Sequence, residues 1–338
     1  MNSFNVLLTG CSVFTHEIVE CLRNNSEGVC VKVVGVNCEE SQLPKACLDF
    51  AYVVPKVSEP SYVDEILKIC LLLDVKVVFP YLTCELEILA AQKRKFDSNG
   101  VHLSISPLEA LRVANNKVSL YERFSRFMPK QTTLTSYTDI YDFIDQGGSK
   151  TLCCKLEDKS GGQGFAIIDD EKANNVSLLG RTGGKIYITT MQLENMVLQV
   201  EKQIILQEYC DGYDYSVCLL LDHGKVLNEI GYIGYYINSG AVMQGEIMKH
   251  EEAYRIAECV CSELKLDGNV CVDFIINGDR AILLEINPRV NASIAFCAKA
   301  GVNLIFQRCK QLLGGNVQKS EPNYGLKMMK YYAADYYV

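Results

Sequence analysis

Val270-Cys271-Val272-Asp273-Phe274-Ile275-Ile276 and Ile282-Leu283-Leu284-Glu285-Ile286-Asn287-Pro288-Arg289 are two apolar runs, each interrupted by an acid, on either side of Asn277-Gly278-Asp279. Asn-Gly between apolar runs is a strong short-range hairpin signal. Strands over Asn269–Ile276 and Arg280–Asn287 are therefore expected. Residues two apart share a face, so Glu285 and Asn287 point the same way, and Asp273 can join them across the hairpin. Two carboxylates and an amide oxygen on one sheet face suit hard divalent cations. An acid on an otherwise apolar strand is costly to bury unless it is paired or metal-bound. The alternative is a half-exposed hairpin with its acids in water. Arg289, past Pro288, would set a fork donor beside the acids, where it could stabilise charge on a transferring phosphoryl group. A structural ion pair is its other reading.

Upstream, Thr151–Leu156 reads as a strand, Asp158–Gly164 as a polar loop and Phe165–Ile168 as a second strand. Within the loop, Gly161, Gly162 and Gly164 let backbone approach a phosphate without Cβ clashes, with Ser160 alongside. Lys155, on the preceding strand, could reach the same phosphates. A flexible hairpin tip with a surface lysine is the alternative. The phosphate-binding loop G-x-x-x-x-G-K-[ST] is missing; Gly147-Gly148-Ser149-Lys150 has the wrong spacing. In Gln207-Glu208-Tyr209-Cys210-Asp211-Gly212-Tyr213-Asp214, a strand ends, turns at Gly212 and resumes. Such a hinge could read a purine edge through Glu208 and backbone, and sugar hydroxyls through Asp214. A plain hairpin with solvated acids is the competing reading.

The first 112 residues have another texture. Phe4–Thr9, Val31–Val36, Val75–Phe79 and Val101–Ile105 read as buried strands, with helical stretches at His16–Arg23, from Ser61 as cap to Leu73, and at Glu85–Phe96. Strands alternating with helices imply a parallel sheet wrapped by helices. A helix over Asn116–Phe127 follows, ended by Met128-Pro129, and later strands read as antiparallel. The expected organisation is an N-terminal α/β unit over 1–112 and a second unit over 113–338, divided into about 128–206 and 207–338. The tail from Tyr324 to Val338 reads as a closing strand or two.

Composition narrows the function. The 338 residues carry a net charge of −8, so no basic nucleic-acid footprint or polybasic membrane patch is present, and an anionic ligand needs local cations. The 16 cysteines contain no C-x-x-C pair and sit in apolar runs such as Val29-Cys30-Val31. Buried free thiols in a reducing compartment are expected, not disulfides or zinc. Only 4 histidines occur, which argues against histidine-based chemistry. The N-terminus lacks a basic start and no apolar run reaches bilayer length, so a soluble cytoplasmic protein is expected.

Taken in order, Lys117, Lys155 with the glycine loop, the Glu208 hinge, and Asp273, Glu285, Asn287 and Arg289 resemble the ATP-grasp superfamily of ligases. Glu285-Ile286-Asn287-Pro288-Arg289 matches the family's E-x-N-P-R. Val290-Asn291-Ala292-Ser293, and the stretch after Asn116-Lys117, are similar to one ATP-grasp half of the carbamoyl phosphate synthetase large subunit. The resemblance implies an α/β and α+β ATP-grasp fold: a parallel pre-ATP-grasp domain, a small flap and an antiparallel C-terminal domain. It implies that Lys117, Lys155 and the loop Ser160, Gly161, Gly162 and Gly164 hold ATP phosphates. Glu208 with the backbone of Tyr209 and Cys210 would hold adenine, and Asp214 the ribose. Asp273, Glu285 and Asn287 would hold two Mg²⁺ ions, with Mn²⁺ as the substitute, and Arg289 would act catalytically with Lys155. Homodimers are common among proteins resembling this one.

Thr9-Gly10-Cys11-Ser12-Val13 lacks the dinucleotide fingerprint, and a single ATP-grasp unit argues against complete carbamoyl phosphate synthesis. The implied reaction activates a small carboxylate as an acyl phosphate with Mg-ATP; an amine then attacks and releases phosphate. Carboxyphosphate or carbamoyl phosphate formation is one alternative, and a non-catalytic ATP-binding regulatory module another. The specificity surface is expected between the N-terminal unit and Tyr232–Lys249, near Asn291 and Ser293.

Overall fold

The computed structural model describes residues 3–146, 151–157, 164–175, 185–199, 203–238 and 240–331. Strands β1 (Ser3–Leu8), β2 (Cys30–Asn37), β3 (Phe50–Val53), β4 (Val75–Phe79) and β5 (His102–Leu103) form a parallel sheet in the order β3-β2-β1-β4-β5. Helices α1 (Thr15–Arg23), α2 (Tyr62–Leu72), α3 (Thr83–Ala91) and α4 (Lys93–Asp97) supply the crossovers. The single helix expected over Glu85–Phe96 is therefore two, broken at Gln92, and β5 is shorter than Val101–Ile105. Ser61 precedes α2 in a helical conformation and makes no side-chain cap, contrary to expectation. An N-cap needs extended backbone to turn its oxygen onto the first free N–H groups.

The period of two sorts the residues of this sheet. Leu7, Val34 and Val78 pack on Ile66, Leu86 and Leu89 of α2 and α3. Val6, Leu8 and Val33 face the other way, onto α1 and onto Phe296, Ile305 and Phe306 from near the end of the chain. One core thus joins the parallel sheet to the C-terminal helices.

Helices α5 (Leu108–Ala114) and α6 (Lys117–Phe124) lead onward. Asn116 caps α6, accepting from Ser119 N at 2.8 Å, which fixes the start of the helix at Lys117. A second sheet contains β6 (Gln131–Leu134), β7 (Leu152–Leu156), β8 (Phe165–Ile168), β9 (Tyr187–Ile188) and β10 (Ile204–Glu208), in the order β6-β10-β7-β8-β9. Helices α7 (Thr138–Asp145), α8 (Asp170–Asn175) and α9 (Thr190–Gln199) accompany it. Leu152, Cys154, Ile204 and Leu206 pack with Phe143 of α7 and Leu193 of α9. By alternation Cys153, Lys155, Ile205 and Gln207 share the opposite face.

The third sheet is antiparallel throughout: β11 (Tyr213–Asp222), β12 (Lys225–Asn238), β13 (Ala241–Ile247), β14 (Gly268–Asn277), β15 (Arg280–Asn287) and β16 (Lys327–Met329), ordered β15-β14-β11-β12-β13-β16. Helices α10 (Glu251–Leu264), α11 (Ile294–Lys299) and α12 (Leu304–Leu312) complete the chain. β16 lies in the tail where a closing strand is expected; residues 332–338 lie outside the described residues. Tyr215, Val217, Val272, Phe274 and Leu283 are buried against α10, each contributing about 1.5–3 kcal/mol.

The β14–β15 hairpin turns through Gly278, whose φ of +59° is the positive value a type II′ turn needs at its first central position. Asn277 pairs with Arg280, so an unbroken ladder would put Leu284 opposite Asp273. A β-bulge intervenes: Phe274 pairs with Leu283, but Asp273 pairs with Glu285. The core records the same shift. Ala281 and Leu283 face α10, and the next core residue is Ile286, three positions on.

All 16 cysteines are free thiols. Ten are buried, as expected, but Cys30, Cys38 and Cys84 are exposed. At Cys30 the alternation of β2 puts Val31 inward and the thiol outward.

Candidate active site

The third sheet presents a grid of side chains on the face away from α10. In one row across four strands stand Tyr232, Ser216, Asp273 and Glu285; in the next stand Ile230, Cys218, Cys271 and Asn287. Directly opposed residues share a face, so the bulge places both acids and the amide together. Asn287 Nδ2 donates to Asp273 Oδ2 at 2.8 Å and to Glu285 Oε1 at 3.0 Å. The remaining oxygen of Asp273, Oδ1, accepts from Ser216 Oγ at 2.6 Å and from the Cys271 thiol at 3.4 Å. Burial, then the charge of Glu285, pushes the Asp273 carboxyl up to about 6, against the pull of its donors.

Oxygen donors of a hard-cation site have to converge on one point. Here two carboxylate oxygens do so, and the amide nitrogen of Asn287 stands at the point of convergence. Rotating that amide about its last torsion would replace the nitrogen by Oδ1. Asp273, Glu285 and Asn287 therefore fit a divalent cation.

Arg289 follows directly. Its Nη1 donates to Val290 O at 3.0 Å, its Nη2 lies 3.4 Å from Asn287 Oδ1 and its Nε lies 3.4 Å from Thr83 Oγ1. Its guanidinium also stacks over the Tyr81 ring at 5.5 Å. Tyr81 and Thr83 belong to the junction between β4 and α3, so the parallel sheet contributes to the site. The buried carboxylate of Glu85 organises that junction. It accepts from Tyr81 N at 2.8 Å, from Leu82 N at 2.7 Å, and from the hydroxyls of Thr9 and Tyr62.

Lys155 lies on β7, between Ile205 and Phe165 of its neighbours. Burial holds its ammonium below the ordinary lysine range; Glu285 opposes the shift and Lys117 adds to it. The charge of Glu285, on β15 of the third sheet, is thus felt at Lys155 on the second. Lys117 Nζ donates to Glu157 O at 2.7 Å, joining α6 to the end of β7. Gly164 sits at φ +70° where the hairpin closes, with Leu156 N donating to its carbonyl at 3.2 Å. Ser160, Gly161 and Gly162 lie outside the described residues.

At the hinge, β10 ends at Glu208, as expected, and β11 begins at Tyr213, directly after Gly212. Gly212 adopts φ +155°, and a Cβ there would stand 2.4 Å from Ile276 O, so the close approach requires glycine. The backbone is less available than the sequence implied. Glu208 N donates to Lys130 O at 2.9 Å and Tyr209 N to Thr151 O at 3.0 Å, and the Glu208 carbonyl takes the thiols of Cys153 and Cys210 at 4.0 and 3.8 Å. Lys185 Nζ donates to the Tyr209 hydroxyl at 2.9 Å. Desolvation raises the Asp214 carboxyl above its ordinary range, and Lys185 partly offsets this.

Sequence reasoning missed Ser216, Tyr81, Thr83 and Lys185. Each acts through a cross-strand or long-range contact that no local pattern encodes. Among the described residues a further group of ligating side chains, Asp222, His223 and Asp267, gathers where the β11–β12 turn meets the start of β14. There the charge of Asp267 is already matched by buried Arg308 at 2.7 Å.

Residues 200–333 match a family model described as "ATP-grasp in the biosynthetic pathway with Ter operon", and residues 6–104 match "PylC-like, N-terminal domain". The ATP-grasp match thus lies in the C-terminal part of the chain. Over 102 residues it is 30% identical to the tyramine–L-glutamate ligase of Methanocaldococcus jannaschii. That match covers 28% of this chain and about a third, 32%, of the relative's length. An ADP complex of N5-carboxyaminoimidazole ribonucleotide synthetase superposes with a TM-score of 0.69 at 12% identity, over 96% of this chain and 80% of the other. An L-amino acid ligase from Bacillus licheniformis superposes with a TM-score of 0.62 at 14% identity, over 93% and 75%. These likenesses give the fold: a parallel N-terminal sheet, a small mixed sheet and an antiparallel C-terminal sheet. Among the described residues no helix is long and apolar enough to cross a membrane.

Proposed function

We propose that the chain is an ATP-dependent carboxylate–amine ligase that forms an acyl phosphate and passes it to an amine, with an amino acid among its substrates. The observation that carries this reading is the convergence of Asp273 Oδ2 and Glu285 Oε1 within 2.8 and 3.0 Å of one atom, with Arg289 two residues beyond. The likenesses to a tyramine–L-glutamate ligase and an L-amino acid ligase support the substrate class.

ATP lies between the second and third sheets, its base against the hinge at Glu208–Cys210 and its ribose by Asp214. Lys117 and Lys155 meet its phosphates. Asp273, Glu285 and Asn287 would hold Mg²⁺, which would supply Lewis-acid stabilisation of phosphate oxygens when bound. The substrate carboxylate attacks the γ-phosphorus and ADP leaves. Arg289, anchored by Thr83 and Tyr81, keeps its fork beside the reacting oxygens and stabilises the charge they gather. The amine then attacks the acyl carbon and phosphate departs. Positioning and charge supply the rate, so no protein nucleophile is needed.

The test is an ADP-release screen over paired carboxylates and amines, with mass spectrometry of the product. ADP release that requires both partners, with an amide product, is expected. ADP release with a carboxylate alone and no amide would contradict the ligase reading.

A further inference from the structure

Ser216 stands directly across β11 and β14 from Asp273, one strand further from the bulge than Glu285. The carboxylate between them is divided. Oδ1 takes the Ser216 hydroxyl at 2.6 Å and the Cys271 thiol at 3.4 Å; Oδ2 points toward Asn287 and Glu285. The two donors of Oδ1 are themselves fixed, Ser216 by the sheet register and Cys271 by Asn291, whose Nδ2 reaches its sulfur at 3.0 Å. Asn291 is held in turn by the Tyr232 hydroxyl at 2.7 Å.

A carboxylate free to rotate offers a cation one oxygen, the other, or both in a chelate. Tying one oxygen to a hydroxyl on a rigid strand removes that choice and the rotamer entropy that goes with it. We propose that Ser216 is a positioning residue for the cation site: it commits Oδ1 of Asp273 to the protein and leaves Oδ2 as a single, pre-aimed metal ligand. The inference rests on the ATP-grasp reading of Asp273, Glu285 and Asn287, and goes beyond it by naming what orients the first of them. Ser216 touches neither cation nor nucleotide in this arrangement. Its replacement therefore weakens metal binding while leaving the hinge and the phosphate lysines in place. The line Tyr232–Asn291–Cys271 supports the same oxygen more weakly, because a thiol is a poor donor at that distance.

The experiment is a Mn²⁺ titration of the full chain in the presence of ADP, followed by electron paramagnetic resonance of the free ion. ADP binding in EDTA is measured in parallel by calorimetry. Ser216→Ala is expected to raise the Mn²⁺ dissociation constant by about 10–100-fold, the usual scale for losing a group that orients a metal ligand. ADP affinity in EDTA is expected to stay within about twofold. Ser216→Thr keeps the hydroxyl and is expected to restore Mn²⁺ binding, which separates positioning from general damage to the strand. Equal Mn²⁺ affinity in Ser216→Ala and the parent would overturn the proposal, as would a threonine variant as weak as alanine. A parent chain that takes up no Mn²⁺ overturns the metal reading itself, and this inference with it.

Discussion

Glu285 faces Asp273 across the β14–β15 pair only because a bulge inserts Leu284 into the ladder. Without that extra residue, the register set by Asn277 and Arg280 would point Leu284 at Asp273 and turn Glu285 toward the core beneath α10. Bulges re-aim side chains at functional positions, and this one brings two acids together whose mutual repulsion a bound cation would relieve. Burial and that repulsion both act to hold Asp273 above the ordinary aspartate range.

The acid pair gives the first prediction. Glu285→Gln keeps the size and the hairpin but removes half of the negative charge aimed at the cation. Turnover should fall by at least about 10²-fold, the scale for losing one preorganised electrostatic group. The melting temperature should stay within a few degrees. The check is ADP release beside a thermal melt. Normal turnover would mean that the metal assignment is wrong.

Arg289 gives the second. Its fork spans Asn287, Val290 and Thr83 at once, a geometry that a lysine ammonium cannot copy. Arg289→Lys should lower kcat by roughly 10²–10³-fold while the KM for ATP changes only a few-fold, since the lost interaction belongs to the transition state. Steady-state kinetics in ATP and in the carboxylate checks it.

Much of this site is legible in the sequence. The acids, the amide and the arginine lie on the two arms of one short hairpin, Lys155 and the hinge sit on strands whose periods are clear, and Lys117 follows the cap residue Asn116 at the start of a helix. What is not legible has a physical cause. A bulge leaves no residue signature, so Leu284 reads as an ordinary strand position. Ser216 gains its role from a register 57 residues long-range. Tyr81 and Thr83 meet Arg289 over a separation of 206 residues in the case of Thr83. Ser61 failed as a cap because its backbone is already helical, and Cys30 is exposed because one strand end has a solvent side. Local propensity cannot see either.

The third prediction concerns stability. Arg308 is 1% exposed and pairs with Asp267 at 2.7 Å, linking α12 to the start of β14. Arg308→Met leaves Asp267 buried without its counter-ion and should cost about 3–5 kcal/mol. Removing both charges in Arg308→Met with Asp267→Leu should recover much of that loss. Urea unfolding of the two variants and the parent checks the pair.

The fourth concerns pH. Burial raises the Glu85 carboxyl above its ordinary value of 4.5 in the fold, and its hydrogen bonds only partly counter the shift. Between 4.5 and the raised value, the unfolded chain has lost a proton that the folded chain keeps. The folded state then binds more protons, so this group makes unfolding easier as pH rises through that window. Glu85→Gln cannot titrate. The parent's stability relative to this variant should therefore fall as pH climbs above about 4.5, by up to ~1.4 kcal/mol per pH unit. Urea melts across the range check the slope; a difference that stays flat or grows would contradict it.

The account rests most heavily on where a nucleotide's phosphates meet the β14–β15 hairpin. A crystal of the chain grown with Mn²⁺ and a non-hydrolysable ATP analogue, with anomalous scattering to locate the metal, addresses this directly. The expected map has manganese bound by Asp273 Oδ2, Glu285 and Asn287 Oδ1 and touching the triphosphate, with Lys117 and Lys155 on the same phosphates. Manganese and triphosphate located away from that hairpin would contradict the account.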